Sequence, residues 1–273
     1  EGVLPLALVF QPGEEQNPGG ASKMIEEGVL KDPAPGSIFG QHVFPDLEVG
    51  KVGFRPGPYM ASSDELRIRV KGKGGHAAMP NKNVDPVLIG SHIVTSLQQL
   101  VSRYADPTLP SVLSFGKLIA DGSTNVIPNE MYLEGTFRTF DEEWREEAHN
   151  SIQRMAEGIA RSMGGHCEVS IQKGYPYLVN DPGLTEKSRR YACELLGEEQ
   201  VVDLPLRMTA EDFAYYGQVI PACFYRLGTR NEAKGITSGL HTATFDIDEE
   251  ALKTGMATMA WEGYRSLQET PSP

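Results

Sequence analysis

The 273-residue sequence has no apolar run approaching the roughly 20 residues that a helix needs to cross a bilayer, so no membrane span is expected within it. Gly2–Phe10 (GVLPLALVF) is apolar but short, lacks a basic leader and contains Pro5, so it reads as a buried strand, neither a signal peptide nor a span. Cysteine is scarce: Cys167, Cys193 and Cys223 lie far apart, which fits neither a disulfide framework nor a zinc ribbon. The three read as free thiols, mostly buried, in a reducing, cytoplasmic setting. Basic charge is also short, with 25 Lys and Arg against 37 Asp and Glu and a net charge of -12, so a nucleic-acid partner is not expected. There is no internal repeat and no low-complexity run, and only the Glu269–Pro273 end (ETPSP) reads as a loose tail.

What is present is the composition of a globular enzyme, 40% hydrophobic and 23% charged, with ample length for a buried core. Leu4–Phe10 is a continuous apolar run stopped by Gln-Pro-Gly, the pattern of a strand buried on both faces. A short helix is predicted over Gly20–Gly28, closed by its glycine, and a second strand over Ser37–Phe44. Such a β-α-β opening builds parallel sheets, whose ligands gather at the carboxyl ends of the strands.

The texture changes near residue 62, where Glu65–Lys71 alternates as a half-exposed antiparallel strand does. Helical periodicity follows over Asp85–Leu100, strands over Ser111–Leu118 and Glu130–Phe140, a helix over Trp144–Met163 with Asp141 as N-cap, and a strand over Cys167–Gln172. That β-α-β-β-α-β order is the split βαβ, ferredoxin-like arrangement. Residues 176–273 return to helix and strand, with Leu184–Leu196, Cys223–Leu227 and Glu249–Leu267 as elements. The predicted fold is α/β: a mostly parallel-sheet catalytic domain formed by 1–61 and 176–273, interrupted at 62–175 by an inserted α+β domain.

Three places carry candidate chemistry. Gln11–Glu15 (QPGEE) sets adjacent carboxylates in a tight turn, where one can bind a cation while the other moves a proton. His42 ends the next predicted strand, and His241 sits in a glycine-flanked loop before an acidic helix start. Carboxylates and neutral imidazoles are the usual ligand set for zinc or manganese. Taken singly, each fits a solvated loop or a structural histidine equally well, and spacing does not establish that Glu15, His42 and His241 meet. His92, His149 and His166 match no motif and read as structural or surface residues.

In order along the chain stand Phe10–Glu15 (FQPGEE), Gly40–Pro45 (GQHVFP), Gly74–Pro80 (GGHAAMP), Asn125–Pro128 (NVIP), Glu134–Arg138 (EGTFR), Thr209–Phe213 (TAEDF) and Gly239–His241 (GLH). This series resembles the aminoacylase and hippurate hydrolase branch of the carboxypeptidase-G2-like two-metal peptidases, over essentially the whole chain. The resemblance implies a zinc-peptidase-like catalytic domain with an inserted lid and dimerisation domain. It implies two divalent ions, zinc or manganese, with Glu15, His42 and His241 as ligands and Glu14 as general base and acid. His76 would reach the partner subunit's site in a homodimer and stabilise the oxyanion, while Asn125 and Arg138 would hold the substrate's amide and carboxylate. Glu211 and Asp212 would support the site.

One departure stands out. The family carries a His-x-Cys-Gly-His-Asp motif upstream of the Glu-Glu turn, and none of the three cysteines here has a histidine two residues after it. The sequence is therefore read as N-terminally truncated, with an incomplete metal centre. The expected function is amide-bond hydrolysis of N-acyl (acetyl, benzoyl or similar) amino acids. The alternatives are a dipeptidase or carboxypeptidase of the same family, or a non-catalytic dimerising fragment.

Overall fold

The structure is a computed structural model, and it describes residues 6–269. In chain order its helices and strands are α1 (Gly20–Glu26), β1 (Ile38–Glu48), β2 (Val52–Phe54), β3 (Gly57–Met60), β4 (Asp64–Lys71), β5 (Gly75–His76) and α2 (Pro86–Leu97). There follow β6 (Ser111–Ile119), β7 (Val126–Ile127), β8 (Glu130–Thr139), α3 (Glu142–Ser162), β9 (His166–Lys173), β10 (Leu178–Asn180), α4 (Pro182–Leu196), β11 (Val201–Asp203), α5 (Ala214–Gly217), β12 (Ala222–Arg230) and α6 (Glu250–Glu269). The chain divides into two compact units.

The first unit takes in residues 6–59, 178–207 and 211–269. Its mixed sheet has the order β1-β12-β2-β11, with β1–β12 and β11–β2 parallel and β12–β2 antiparallel. β12 is buried along nearly its whole length, as befits a central strand with both faces covered. On one face Val52, Phe54, Cys223, Tyr225 and Leu227 pack with Ala192 of α4 and Ala251 of α6, and the Phe54 and Tyr225 rings stack at 5.0 Å. Gly255 lets α6 come close: a Cβ there would stand 2.7 Å from Leu227 Cδ2. The other face carries His42, Phe224 and Arg226, because register places His42 beside Arg226 and side chains alternate along each strand.

The second unit spans Met60–Tyr177 with Met208–Ala210. Its main sheet, in the order β6-β8-β4-β9, is antiparallel throughout. β4 alternates buried and exposed residues, and its buried Leu66, Ile68 and Val70 meet Ile89, Ile93 and Leu97 of α2 and Ala148, Ile152 and Ala156 of α3. Both helices start as their sequences dictate. The Asp85 carboxylate accepts the Val87 and Leu88 N–H groups ahead of Pro86, and Asp141 accepts that of Trp144. His149 is structural, its Nε2 lying 2.7 Å from Asp64 Oδ2 in a buried cluster with Arg145.

The predicted strand at Leu4–Phe10 is corrected by the structure. Leu4 and Pro5 lie outside the described residues, and 6–10 form no strand, with Leu6, Leu8 and Phe10 exposed at 63, 72 and 85%. An apolar run becomes a strand only where neighbouring backbones complete its hydrogen bonds, and among the described residues none pairs with it. At the other end, Glu269 pairs with Arg190 at 2.6 Å, while the rest of the expected loose tail lies outside the described residues. The three cysteines are free, Cys167 and Cys223 buried. Among the described residues no helix is long and apolar enough to cross a membrane.

Candidate functional site

The Glu14–Glu15 pair sits in a turn closed by the Gln16 N–H donating to the Gly13 carbonyl at 3.2 Å, with Gly13 at φ 65°, a conformation that glycine adopts without steric cost. Asp212 anchors that turn from both sides. Its carboxylate accepts Gln11 Nε2 at 2.6 Å and the Ala21 N–H at 3.0 Å, so the chain before and after the glutamates is tied to one buried acid. Gly19 leaves space for it, since a Cβ there would lie 2.4 Å from Asp212 Oδ2.

Three carboxyls converge here. Single oxygens of Glu14, Glu211 and Asp212 lie within 4.8 Å of one another. Glu14 is half-buried, and burial, then the charges of Glu15 and Asp212, raise its pKa against the Asp212 N–H and His241. Glu211 is pushed up to about 8 by burial and by Glu14. Acids crowded this closely favour shared protons or a bound cation, because like charges in a poorly hydrated place repel strongly.

The imidazoles stand nearby. His42 on β1 has its Nδ1 2.7 Å from the Val43 carbonyl oxygen. A carbonyl only accepts, so Nδ1 carries the proton and Nε2 keeps its lone pair, the tautomer of a nitrogen ligand oriented by backbone. Burial, then the positive charge of Arg226, lowers the His42 pKa and holds the ring neutral, while Glu15 opposes. His241 Nε2 lies 4.0 Å from Glu15 Oε1, both groups exposed at 75 and 77%, a spacing that two ligands of one ion can share. His241 is the one non-glycine with positive φ, 59°, among the described residues, the kind of backbone strain that gathers at functional sites. Carboxylate and imidazole are donor types that divalent cations accept. Among the described residues, however, the group of three whose ligand atoms come within 4.8 Å of one another is Glu14, Glu211 and Asp212, and the expected set Glu15, His42 and His241 is not such a group.

The second unit brings His76 and Asn125 together. β5 pairs with β7 through His76 and Val126, the Ala77 N–H donates to the Asn125 carbonyl at 2.9 Å, and His76 Nδ1 accepts the Ala78 N–H at 3.1 Å. His76 is exposed. Arg138 lies apart on β8, its guanidinium pKa lowered by burial. The resemblance gave Asp212 as support for the site without naming the turn that it anchors, and the charge of Arg226 escaped the sequence reading. The signal for Arg226 was present, as an arginine inside the otherwise apolar run Ala222–Leu227.

The sequence model described as Peptidase family M20/M25/M40 matches residues 1–260. This chain belongs to the M20/M25/M40 peptidase family. Among curated relatives, an N-acetylcysteine deacetylase of Bacillus subtilis is 40% identical over 247 residues, covering 90% of this chain and 62% of its own length. An N-acetyldiaminopimelate deacetylase of Enterococcus faecalis is 36% identical, with 93% of this chain and 65% of the relative covered. Among solved structures, the Bacillus subtilis YXEP protein, described as a dinuclear metal binding peptidase from the M20 family, superposes with a TM-score of 0.76 at 34% identity, covering 96% of this chain and 65% of that one. The chain spans less than two thirds of the length of these relatives.

Proposed function

We propose that this chain carries part of the catalytic machinery of a metal-dependent amidohydrolase that removes acyl groups from N-acyl amino acids. The observation that carries the reading is the Glu14–Glu15 turn, with a half-buried carboxyl of raised pKa beside an exposed one facing His241. Glu15, His42 and His241 are the residues that would hold a divalent ion, zinc or manganese, and in the whole protein a second ion beside it. A bound ion would supply Lewis-acid polarisation of water and of the acyl carbonyl.

The chain's own groups do the rest. The Glu14 carboxylate takes a proton from the attacking water and returns it to the leaving amine nitrogen, and its raised pKa brings it closer to both tasks at neutral pH. The Asp212 carboxylate fixes the turn that aims it. Asn125 would bind the amide, Arg138 the α-carboxylate, and His76 the oxyanion, the last reaching across a homodimer formed through the 62–175 domain acting as lid. The acyl-amino-acid class is supported by the two deacetylase relatives, and a cytoplasmic setting by the free thiols. A carboxypeptidase reading is kept open by a Saccharolobus solfataricus relative described as thermostable carboxypeptidase 2, 34% identical over 252 residues.

The test is elemental analysis after exposure to zinc or manganese, followed by assay against N-acetyl amino acids, N-benzoyl amino acids and dipeptides. Metal retention that survives Glu14→Gln but fails in His42→Ala, with turnover lost in both, is the expected pattern. Equal metal loss in Glu14→Gln would remove the proton-transfer role, and cleavage of dipeptides alone would favour the carboxypeptidase.

A further inference from the structure

His241 stands in the long connection between β12, which ends at Arg230, and α6, which begins at Glu250. A connection of that length with no helix or strand of its own is uncommon in a compact unit, and it is kept where it serves a site. Its residues are exposed or partly exposed with one exception, and that exception is an acid: Asp248 is 1% exposed. A carboxylate is buried only where donors meet it. Here they come from both ends of the connection. At the near end, Asn231 Nδ2 donates to Oδ2 and Lys234 Nζ donates to Oδ1 at 2.9 Å. At the far end, the Glu250 N–H donates to Oδ1 at 3.1 Å, while the N–H of Asp248 itself donates to the Thr229 carbonyl of β12 at 3.1 Å. The bonds from Lys234, then Asn231, lower the Asp248 pKa to about 2, so the carboxylate stays charged at neutral pH.

Holding the start of α6 would need the Glu250 bond alone. The bonds from Asn231 and Lys234 do something further, because they close the base of the loop that carries His241. Asn231 and Ile236 each donate a backbone N–H to the other's carbonyl at 2.9 Å, so the clasped end is itself a closed turn. Further along, the Ser238 and Thr244 hydroxyls lie 2.8 Å apart, and Thr242 Oγ1 donates to the Gly239 carbonyl at 2.8 Å. Inside that second closure His241 holds its φ of 59°. A strained backbone persists only where its surroundings over-determine it. An exposed loop open at its base has the conformational freedom to relax such strain, and a closed base removes much of that freedom.

We propose that Asp248 is a positioning residue for His241, clasping the two ends of its loop through Asn231 and Lys234 so that the imidazole stands by Glu15 before an ion or a substrate arrives. This rests on the amidohydrolase reading, in which Glu15 and His241 are ligands. It adds a second anchoring acid to that site, one for the His241 loop beside Asp212 for the Glu14–Glu15 turn. Groups that orient a ligand without touching the ion change metal affinity by about 10–100-fold.

Lys234→Met is the decisive variant, because the Lys234 side chain is 55% exposed and its loss opens the clasp while the Glu250 bond at the start of α6 stays in place. Asp248→Ala removes both, and Lys234→Arg should restore wild-type behaviour. The first readout contains no metal: the ring resonance of His241 in the NMR spectrum of the 273-residue chain, assigned by its disappearance in His241→Ala. In the wild-type background it should move on Glu15→Gln, and in the Lys234→Met background that movement should be lost. The second is zinc affinity, expected to fall about tenfold or more in Lys234→Met with the urea midpoint unchanged. A resonance that ignores Glu15→Gln in the wild-type background, or that still responds to it in Lys234→Met, overturns the proposal. Unchanged zinc affinity in Lys234→Met, with the wild type binding zinc, does the same. If the wild type retains no zinc, the hydrolytic reading fails by itself, and the metal-free resonance still decides the clasp.

Discussion

Two buried acids, one in each unit, are held in opposite ways. In the second, Asp64 is fully enclosed and fully bonded: its carboxylate accepts Arg145 Nε at 2.9 Å, Arg145 Nη2 at 2.5 Å, His149 Nε2 at 2.7 Å and the Gly174 N–H at 3.2 Å. Burial alone would raise its pKa, but the bonds from His149 and Arg145 outweigh that and hold the carboxyl below its ordinary value. In the first unit Glu262 of α6 is equally enclosed, yet neither carboxyl oxygen has a hydrogen-bond partner, and burial pushes its pKa well up. Glu14 and Glu211 are raised as well. At Asp64 several bonds favour the charged form, whereas at Glu262, Glu211 and Glu14 burial shifts the balance toward the protonated form.

The sharpest way to break this comparison is Arg145→Met, which strands a buried carboxylate and should cost the second unit about 3–5 kcal/mol in urea unfolding. A cost below about 1 kcal/mol would mean that the cluster adds little net stability, as happens for exposed pairs. Next in size is Gly255→Ala, whose new methyl meets Leu227 and should destabilise the first unit by about 1–3 kcal/mol.

The pH dependence sharpens the contrast further. A folded-state pKa raised above the unfolded value gives stability that is complete below the unfolded pKa and lost as pH rises, so Glu262 should make the first unit weaker at pH 8 than at pH 5.5. Asp64, with a lowered pKa, gives stability that is present at neutral pH and lost only as pH falls through its folded value. Hydrogen exchange at the two pH values, resolved by unit, should show the slope in the first and a shallower one in Glu262→Gln. An unchanged slope in that variant would assign it to Glu211 and Glu14. The smallest effect concerns the thiols. Burial raises Cys167 to about 12 and Cys223 higher, so only Cys193, which is partly exposed, should react with a thiol reagent on the native protein.

Where a pattern depends on a residue's own neighbours along the chain, the sequence reading and the structure coincide closely. The alternation of Glu65–Lys71 reappears as β4, and the apolar stripe of Trp144–Met163 as α3 behind its Asp141 cap. These signals are local, because side-chain direction repeats every two residues in a strand and every 3.6 in a helix. Leu6–Phe10 shows the opposite case, since an apolar run names no structure until neighbouring strands accept its backbone.

For the candidate site the division is similar. The sequence by itself singled out the chemically capable residues, Glu14, Glu15, His42 and His241, from their settings in turns and at strand ends and from their order along the chain. It also fixed what kind of chemistry such donors support, since ligand type follows from side-chain chemistry alone. Only the tertiary structure decided which groups share an environment. It placed Asp212 across the chain from the Glu turn and drew Glu211 against Glu14. It gave His42 its tautomer through the Val43 carbonyl and set Arg226 beside it across a parallel strand pair. Those outcomes depend on burial and on register between segments nearly two hundred residues apart, and spacing along the chain carries neither.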